Sequence, residues 1–242
     1  MPTTGKRANR QTGKLATPLS TSLQAHDSAS KAESLTIRGD RYMKRPASKH
    51  KKWSDHYTQR AKKEHYPARS VYKLQEPQKR FKLIKTGDRV LDLGCAPGSW
   101  TLYAANLVGP NGKVIGVDIK PVKERLPDNA ETVVGDIFRL DKDEIPILRQ
   151  TFHVVLSDMA PSTTGRKDVD AARSAELCRE ARRLAEAMLE PGGNFCCKIF
   201  TSEDAKPFSE DLKKLFRQVR IFKPQSSRKA SREVFVVGLG KK

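Results

Sequence analysis

Between residues 89 and 200, five short runs are apolar without the alternation of a half-solvated strand: RVLDLGC (89–95), KVIGVDI (113–119), TVVGDI (132–137), HVVLSDM (153–159) and NFCCKIF (194–200). Strands of that kind are buried on both faces, which calls for a parallel sheet with helices covering each side. The intervening segment 168–190 meets that demand, because Leu177, Ala181, Leu184, Ala185, Met188 and Leu189 fall on one helical face. This βαβ series predicts an α/β domain with a mostly parallel sheet. The end of the chain departs from the pattern. After a helix over 207–218, the runs VRIFK (219–223) and EVFVVGL (233–239) are joined by a short polar loop. So short a connection allows neighbouring strands to pair only antiparallel, so a hairpin-like edge is expected there.

A chain of 242 residues suits one such domain with a tail, here a disordered basic tail over residues 1–50 and a domain over 51–242. The tail is rich in Ser, Thr, Lys, Arg and Gly and cannot bury enough apolar surface to offset chain entropy. Its first 26 residues carry Lys6, Arg7, Arg10 and Lys14 and no acid, as organellar transit peptides do, yet Pro2, Gly5, Gly13 and Pro18 would interrupt an amphipathic helix. An RNA-contacting tail on a bacterial-type cytoplasmic protein is the expected reading. The net charge of +19 points to a polyanionic partner, with nucleic acid first. In KKWSDHYTQRAKK (51–63), Trp53 and Tyr57 stand four residues apart on a basic helix, placed either to stack on bases or to dock the helix on the domain. No run approaches the roughly 20 apolar residues of a membrane span. Cys95, Cys178, Cys196 and Cys197 form no CxxC, read as reduced core residues, and suggest no metal.

LDLGCAPGSW (91–100) closes a strand and opens a helix, with Gly94 and Gly98 free to turn tightly against a ligand. Asp118 at the end of the second strand can accept the hydroxyls of an adenosine ribose, and Asp136 at the end of the third is placed for the adenine end. A nicotinamide-binding Rossmann domain shows similar features. The loop is GxxxG rather than GxGxxG, however, and Pro97 removes an amide where a pyrophosphate would need one. The antiparallel end of the sheet also suits a methyltransferase.

From about residue 51 onward the chain resembles the FtsJ/RrmJ family of ribose 2′-O-methyltransferases, through SVYKL (70–74), LDLGCAPGSW (91–100), SDMAP (157–161), PGGNFCCKIF (191–200) and SSRKASREVFVVGLG (226–240). The resemblance implies a Rossmann-like fold dependent on S-adenosyl-L-methionine (SAM), with a seven-stranded, mostly parallel sheet and an antiparallel C-terminal edge strand. The family's Lys-Asp-Lys-Glu tetrad falls on Lys73, Asp158, Lys198 and Glu233. It also implies that Gly98, Trp100, Asp118, Asp136 and Asp158 form the cofactor site, with packing of its helix on the sheet a competing role for Trp100. Ser99 stands where the family has a second loop glycine. A ribose hydroxyl is a poor nucleophile, so such a site must align it with the methyl group and remove its proton. A lysine does this only as a neutral amine, which a second cation or burial favours.

The implied substrate is a uridine of large-subunit (23S-type) ribosomal RNA in the assembled subunit. Transfer RNA, messenger RNA cap ribose and a non-catalytic SAM-binding assembly factor are the alternatives. Lys223, Arg228, Lys229 and Arg232 beside Glu233 are expected to hold phosphates, which supply affinity rather than sequence choice. A monomer is the default expectation.

Overall fold

The structure, a computed structural model, describes residues 49–140 and 146–242, all within one compact unit, Pro46–Lys242. The basic tail expected over residues 1–50 lies outside the described residues apart from its last two positions, and so does the side chain of Trp53.

The apolar runs are strands: β1 (Arg89–Leu93), β2 (Lys113–Asp118), β3 (Ala130–Val134), β4 (Phe152–Ser157) and β5 (Leu189–Phe200). With β6 (Phe216–Phe222) and β7 (Glu233–Lys241) they form one seven-stranded sheet in the order β3-β2-β1-β4-β5-β7-β6. β1 to β5 run parallel, and β7 runs antiparallel to both of its neighbours. The hairpin-like end therefore has a definite arrangement, with β7 inside, between β5 and β6, and β6 at the edge.

Alternation along the strands sorts side chains onto two covered faces. On one face Phe195, Cys197, Ile199 and Val236 pack with α4 (Lys167–Met188) and α5 (Ala205–Leu215). On the other Cys196, Phe235 and Val237 pack with α2 (Val71–Phe81) and α3 (Ser99–Val108). The helix α1 (Lys49–Lys63) docks on α2 through Tyr57, whose ring lies 5.2 Å from that of Tyr72. The Arg69 guanidinium also stands over the Tyr57 ring, 5.3 Å from its centroid. For Tyr57, docking rather than base stacking is what the packing supports.

Several boundaries differ from the sequence reading. β6 begins at Phe216, not Val219, because Phe216 is fully buried and stacks on Phe195 with centroids 5.9 Å apart, which ends α5 at Leu215. The helix expected to reach residue 190 stops at Met188, and Leu189 already pairs with Phe152. β3 stops at Val134, so Asp136 lies beyond the strand and caps a short 3₁₀ turn, Ile137–Arg139.

Phe235, on the face that α2 and α3 cover, is fully buried and lies 5.7 Å from the Trp100 ring. Phe235→Ala is expected to destabilise the domain by about 3–5 kcal/mol, read as a lower urea midpoint at unchanged m-value.

Candidate active site

The strand order reverses direction of growth at β1 and β4, where loops on opposite sides of the sheet leave a crevice beyond the strand ends. A cavity of about 660 Å³ opens there, lined among others by Gly94, Ala96, Asp118, Asp136, Phe138 and Asp158. Gly94 makes it possible. Its φ is +79°, and a Cβ there would lie 2.6 Å from Met159 Cγ, so a side chain would collide with the loop after β4.

Asp118 is held in place before any ligand arrives. Its Oδ2 accepts the Ala96 N–H at 3.0 Å and its Oδ1 the Lys120 N–H at 2.9 Å. Each oxygen keeps a further lone pair that hydroxyl groups could use. Asp136 Oδ1 accepts the Phe138 N–H at 3.1 Å, and Phe138 lines the cavity beside it. Phe138 at 54% and Ile119 at 67% exposure are large apolar side chains left open at this cavity. Two carboxylates beside two uncovered apolar surfaces, in a volume typical of small-ligand sites, fit a nucleoside with a flat base and a diol. Ile119, Phe138 and Met159 were not singled out from sequence, although an apolar residue one or two places after a strand-end acid is a usable signal.

Two expected members of this set are not among the residues that line the cavity. Gly98 caps the start of α3 with φ of +108°, clear of the cavity lining. Trp100 is buried, donates its indole N–H to the Ser70 carbonyl at 2.8 Å and packs on Phe235. It fixes α3 and the start of α2 to the sheet, which is the second of the roles the sequence allowed.

Register brings the four charged residues together. Ser157 pairs with Cys197, so Asp158 follows beside Lys198. Lys198 pairs with Phe235 across the antiparallel ladder, and Glu233 with Phe200, so Lys198 and Glu233 share the face that α2 covers. Lys73 on α2 donates to Glu233 Oε2 at 2.8 Å. Lys198 is 5% exposed, and its Nζ donates to the Asp158 carbonyl at 2.7 Å. It also lies 2.9 Å from Asp158 Oδ1, a contact of charge rather than an aligned hydrogen bond, since that oxygen has no hydrogen-bond partner. Burial works to raise the pKa of Glu233, but the Lys73 ammonium, a Ser227 hydroxyl and the Lys198 charge outweigh it and hold the carboxyl below its ordinary value. Asp158 lines the cavity as well as touching Lys198, and so joins the two halves of the site.

The family model described as FtsJ-like methyltransferase matches residues 66–241. The chain belongs to the FtsJ-like methyltransferase family. It is 54% identical over 198 residues to the ribosomal RNA large subunit methyltransferase E of Desulforapulum autotrophicum, covering 82% of this chain and 98% of that protein. It is 53% identical over 190 residues to the protein of the same name from Desulfatibacillum aliphaticivorans, covering 78% and 92%. A crystal structure from Plasmodium falciparum, described as a ribosomal RNA methyltransferase, superimposes with a TM-score of 0.63 at 27% identity, covering 73% of this chain and 98% of that one.

Under the site, this FtsJ-like methyltransferase buries a further acid. Asp92 on β1 is fully buried, accepts the Thr101 hydroxyl at 2.7 Å on Oδ2, and has no hydrogen-bond partner on Oδ1. Burial, reinforced by the charges of Asp158 and Asp118, pushes its pKa up from 3.8 to about 7. Between those values the folded protein holds a proton that the unfolded chain releases, so Asp92 subtracts stability as pH rises across the window. Asp92→Asn keeps the Thr101 bond without the ionisation. From pH about 4 to about 7 the wild-type urea midpoint is expected to fall relative to that of Asp92→Asn and then follow it in parallel. A difference independent of pH would show that the carboxyl is already charged in the fold.

Proposed function

We propose that this methyltransferase transfers a methyl group from SAM to the ribose 2′-hydroxyl of a nucleotide in RNA. The substrate is a uridine of 23S-type ribosomal RNA within the large subunit, and the enzyme acts in the cytoplasm. The observation that carries the reading is the position of Asp158, which lines the nucleoside-sized cavity and touches the buried Lys198. The names of the relatives support ribosomal RNA as substrate, and the charge of +19 suits a phosphate-rich partner. No helix among the described residues is long and apolar enough to cross a membrane.

Asp118 and Asp136 would hold the adenosine end of SAM, with Ile119 and Phe138 against the base. When bound, SAM supplies a methyl group already activated by the positive charge of its sulfonium. The remaining work falls to this chain's residues, which must place the hydroxyl and take its proton. Lys198 Nζ, in its neutral form, receives that proton. Asp158 orients the amine through its carbonyl and carboxylate. Glu233, kept ionised by Lys73, adds its negative charge to the cluster. Lys73 in turn closes the cluster from α2, and burial of the group excludes water that would compete for the amine.

Lys198→Met keeps most of the buried stem but no proton acceptor. It is expected to lower single-turnover transfer to ribosomal subunits by at least about 100-fold. Calorimetric SAM affinity should stay within about twofold, because Lys198 touches the cavity only through Asp158. A near-wild-type single-turnover rate would remove Lys198 as the base.

A further inference from the structure

The segment between β6 and β7 is anchored to α2 at a point separate from the Lys73–Glu233 pair. Glu76 lies one helical turn beyond Lys73 and so shares its face of α2. One of its carboxylate oxygens accepts the main-chain N–H of Gln225 at 2.6 Å, and the other accepts that of Ser226 at 2.8 Å. The Arg69 guanidinium donates to the Ser226 carbonyl at 2.6 Å. The peptide groups on both sides of Ser226 are thus bonded by charged side chains, and Ser226 and Ser227 are buried. Lys79 and Arg80 follow at helical spacing, yet among the described residues Glu76 makes no ion pair and spends both oxygens on the loop backbone. Hydrogen bonds from a carboxylate to backbone N–H groups are the strong, orienting kind.

Beyond the anchor the chain turns back sharply, the Ser231 N–H reaching the Arg228 carbonyl at 2.8 Å. Lys223 closes the base of the turn by donating to the Ser231 carbonyl at 3.0 Å, and Arg232 donates to the Thr201 carbonyl. Of the four loop cations, Lys223 and Arg232 therefore brace the loop, while Arg228 and Lys229 stand exposed at its tip.

We propose that Glu76 is a positioning residue for the RNA substrate, holding the 224–232 loop so that Arg228 and Lys229 meet phosphates beside the reacting ribose. Released from Glu76, the tip would sample many positions and pay for its ordering when RNA binds. The inference rests on the function proposed above.

The test is a double-mutant cycle on subunit binding and transfer, with Glu76→Ala, the pair Arg228→Ala and Lys229→Ala, and all three together. In the native loop, Glu76→Ala is expected to weaken subunit affinity about tenfold and to lower the slope of log affinity against log salt by roughly one to two. In the loop lacking both tip cations, the same substitution should change affinity by less than about twofold. SAM affinity should not move in any variant. Glu76→Gln, which keeps one acceptor oxygen, should lie between wild type and Glu76→Ala, and it carries the same cycle if Glu76→Ala does not fold. Equal weakening in both backgrounds, or none in either, overturns the proposal. Should wild-type protein fail to methylate subunits, the proposed function itself falls. A methylating wild type with an indifferent Glu76 overturns only this inference.

Discussion

An ammonium group as buried as that of Lys198 is unfavourable by several kcal/mol unless a carboxylate and hydrogen-bond acceptors meet it. That requirement organises the C-terminal half of the domain. It needs β4 and β5 in the register that places Asp158 beside Lys198. It is eased further by the Glu233 charge, which arrives only because β7 inserts antiparallel between β5 and β6 and begins opposite Phe200. Glu233 then needs its own cation, and Lys73 brings α2 over the face that Cys196, Phe235 and Val237 leave apolar. A sheet closed by a β5–β6 hairpin instead would leave the lysine without its second acid.

The other half of the site is set by how closely two loops can approach. Gly94 lets the turn after β1 lie against Met159, and both residues line the cavity. Asp118 ties the same turn to the end of β2 through the Ala96 N–H. A ligand in the cavity therefore meets carboxylates whose positions are already fixed, which lowers the ordering cost of binding. Asp158 belongs to both halves, so loop packing and strand register must agree at one residue.

The parallel sheet and both helical faces were legible in the continuous apolar runs, since nothing but two-sided burial explains strands such as KVIGVDI. The cluster of Lys73, Asp158, Lys198 and Glu233 came from family resemblance. Their spacing of up to 160 positions carries no local signal, and each alone reads as a surface or capping residue. Trp100 was ambiguous because a tryptophan after a glycine turn can face ligand or core, and its contacts with the Ser70 carbonyl and the Phe235 ring come from distant parts of the chain. The start of β6 was misplaced because Phe216 continues the helical pattern of α5 while its ring is claimed by Phe195. Glu76 was invisible for a related reason. A glutamate among lysines on an amphipathic helix looks like solvated surface until the fold returns a backbone to it 149 positions later.

The claim at the centre is that the buried lysine serves a ribose hydroxyl of ribosomal RNA. Large ribosomal subunits from cells that lack this enzyme, incubated with the wild-type protein and SAM, can be mapped by alkaline hydrolysis, which a 2′-O-methyl group blocks. One new alkali-resistant linkage, 3′ to a uridine of the large-subunit RNA and dependent on both protein and SAM, is the predicted result. Methyl incorporation that leaves every linkage alkali-sensitive would place the methyl group on a base and contradict it.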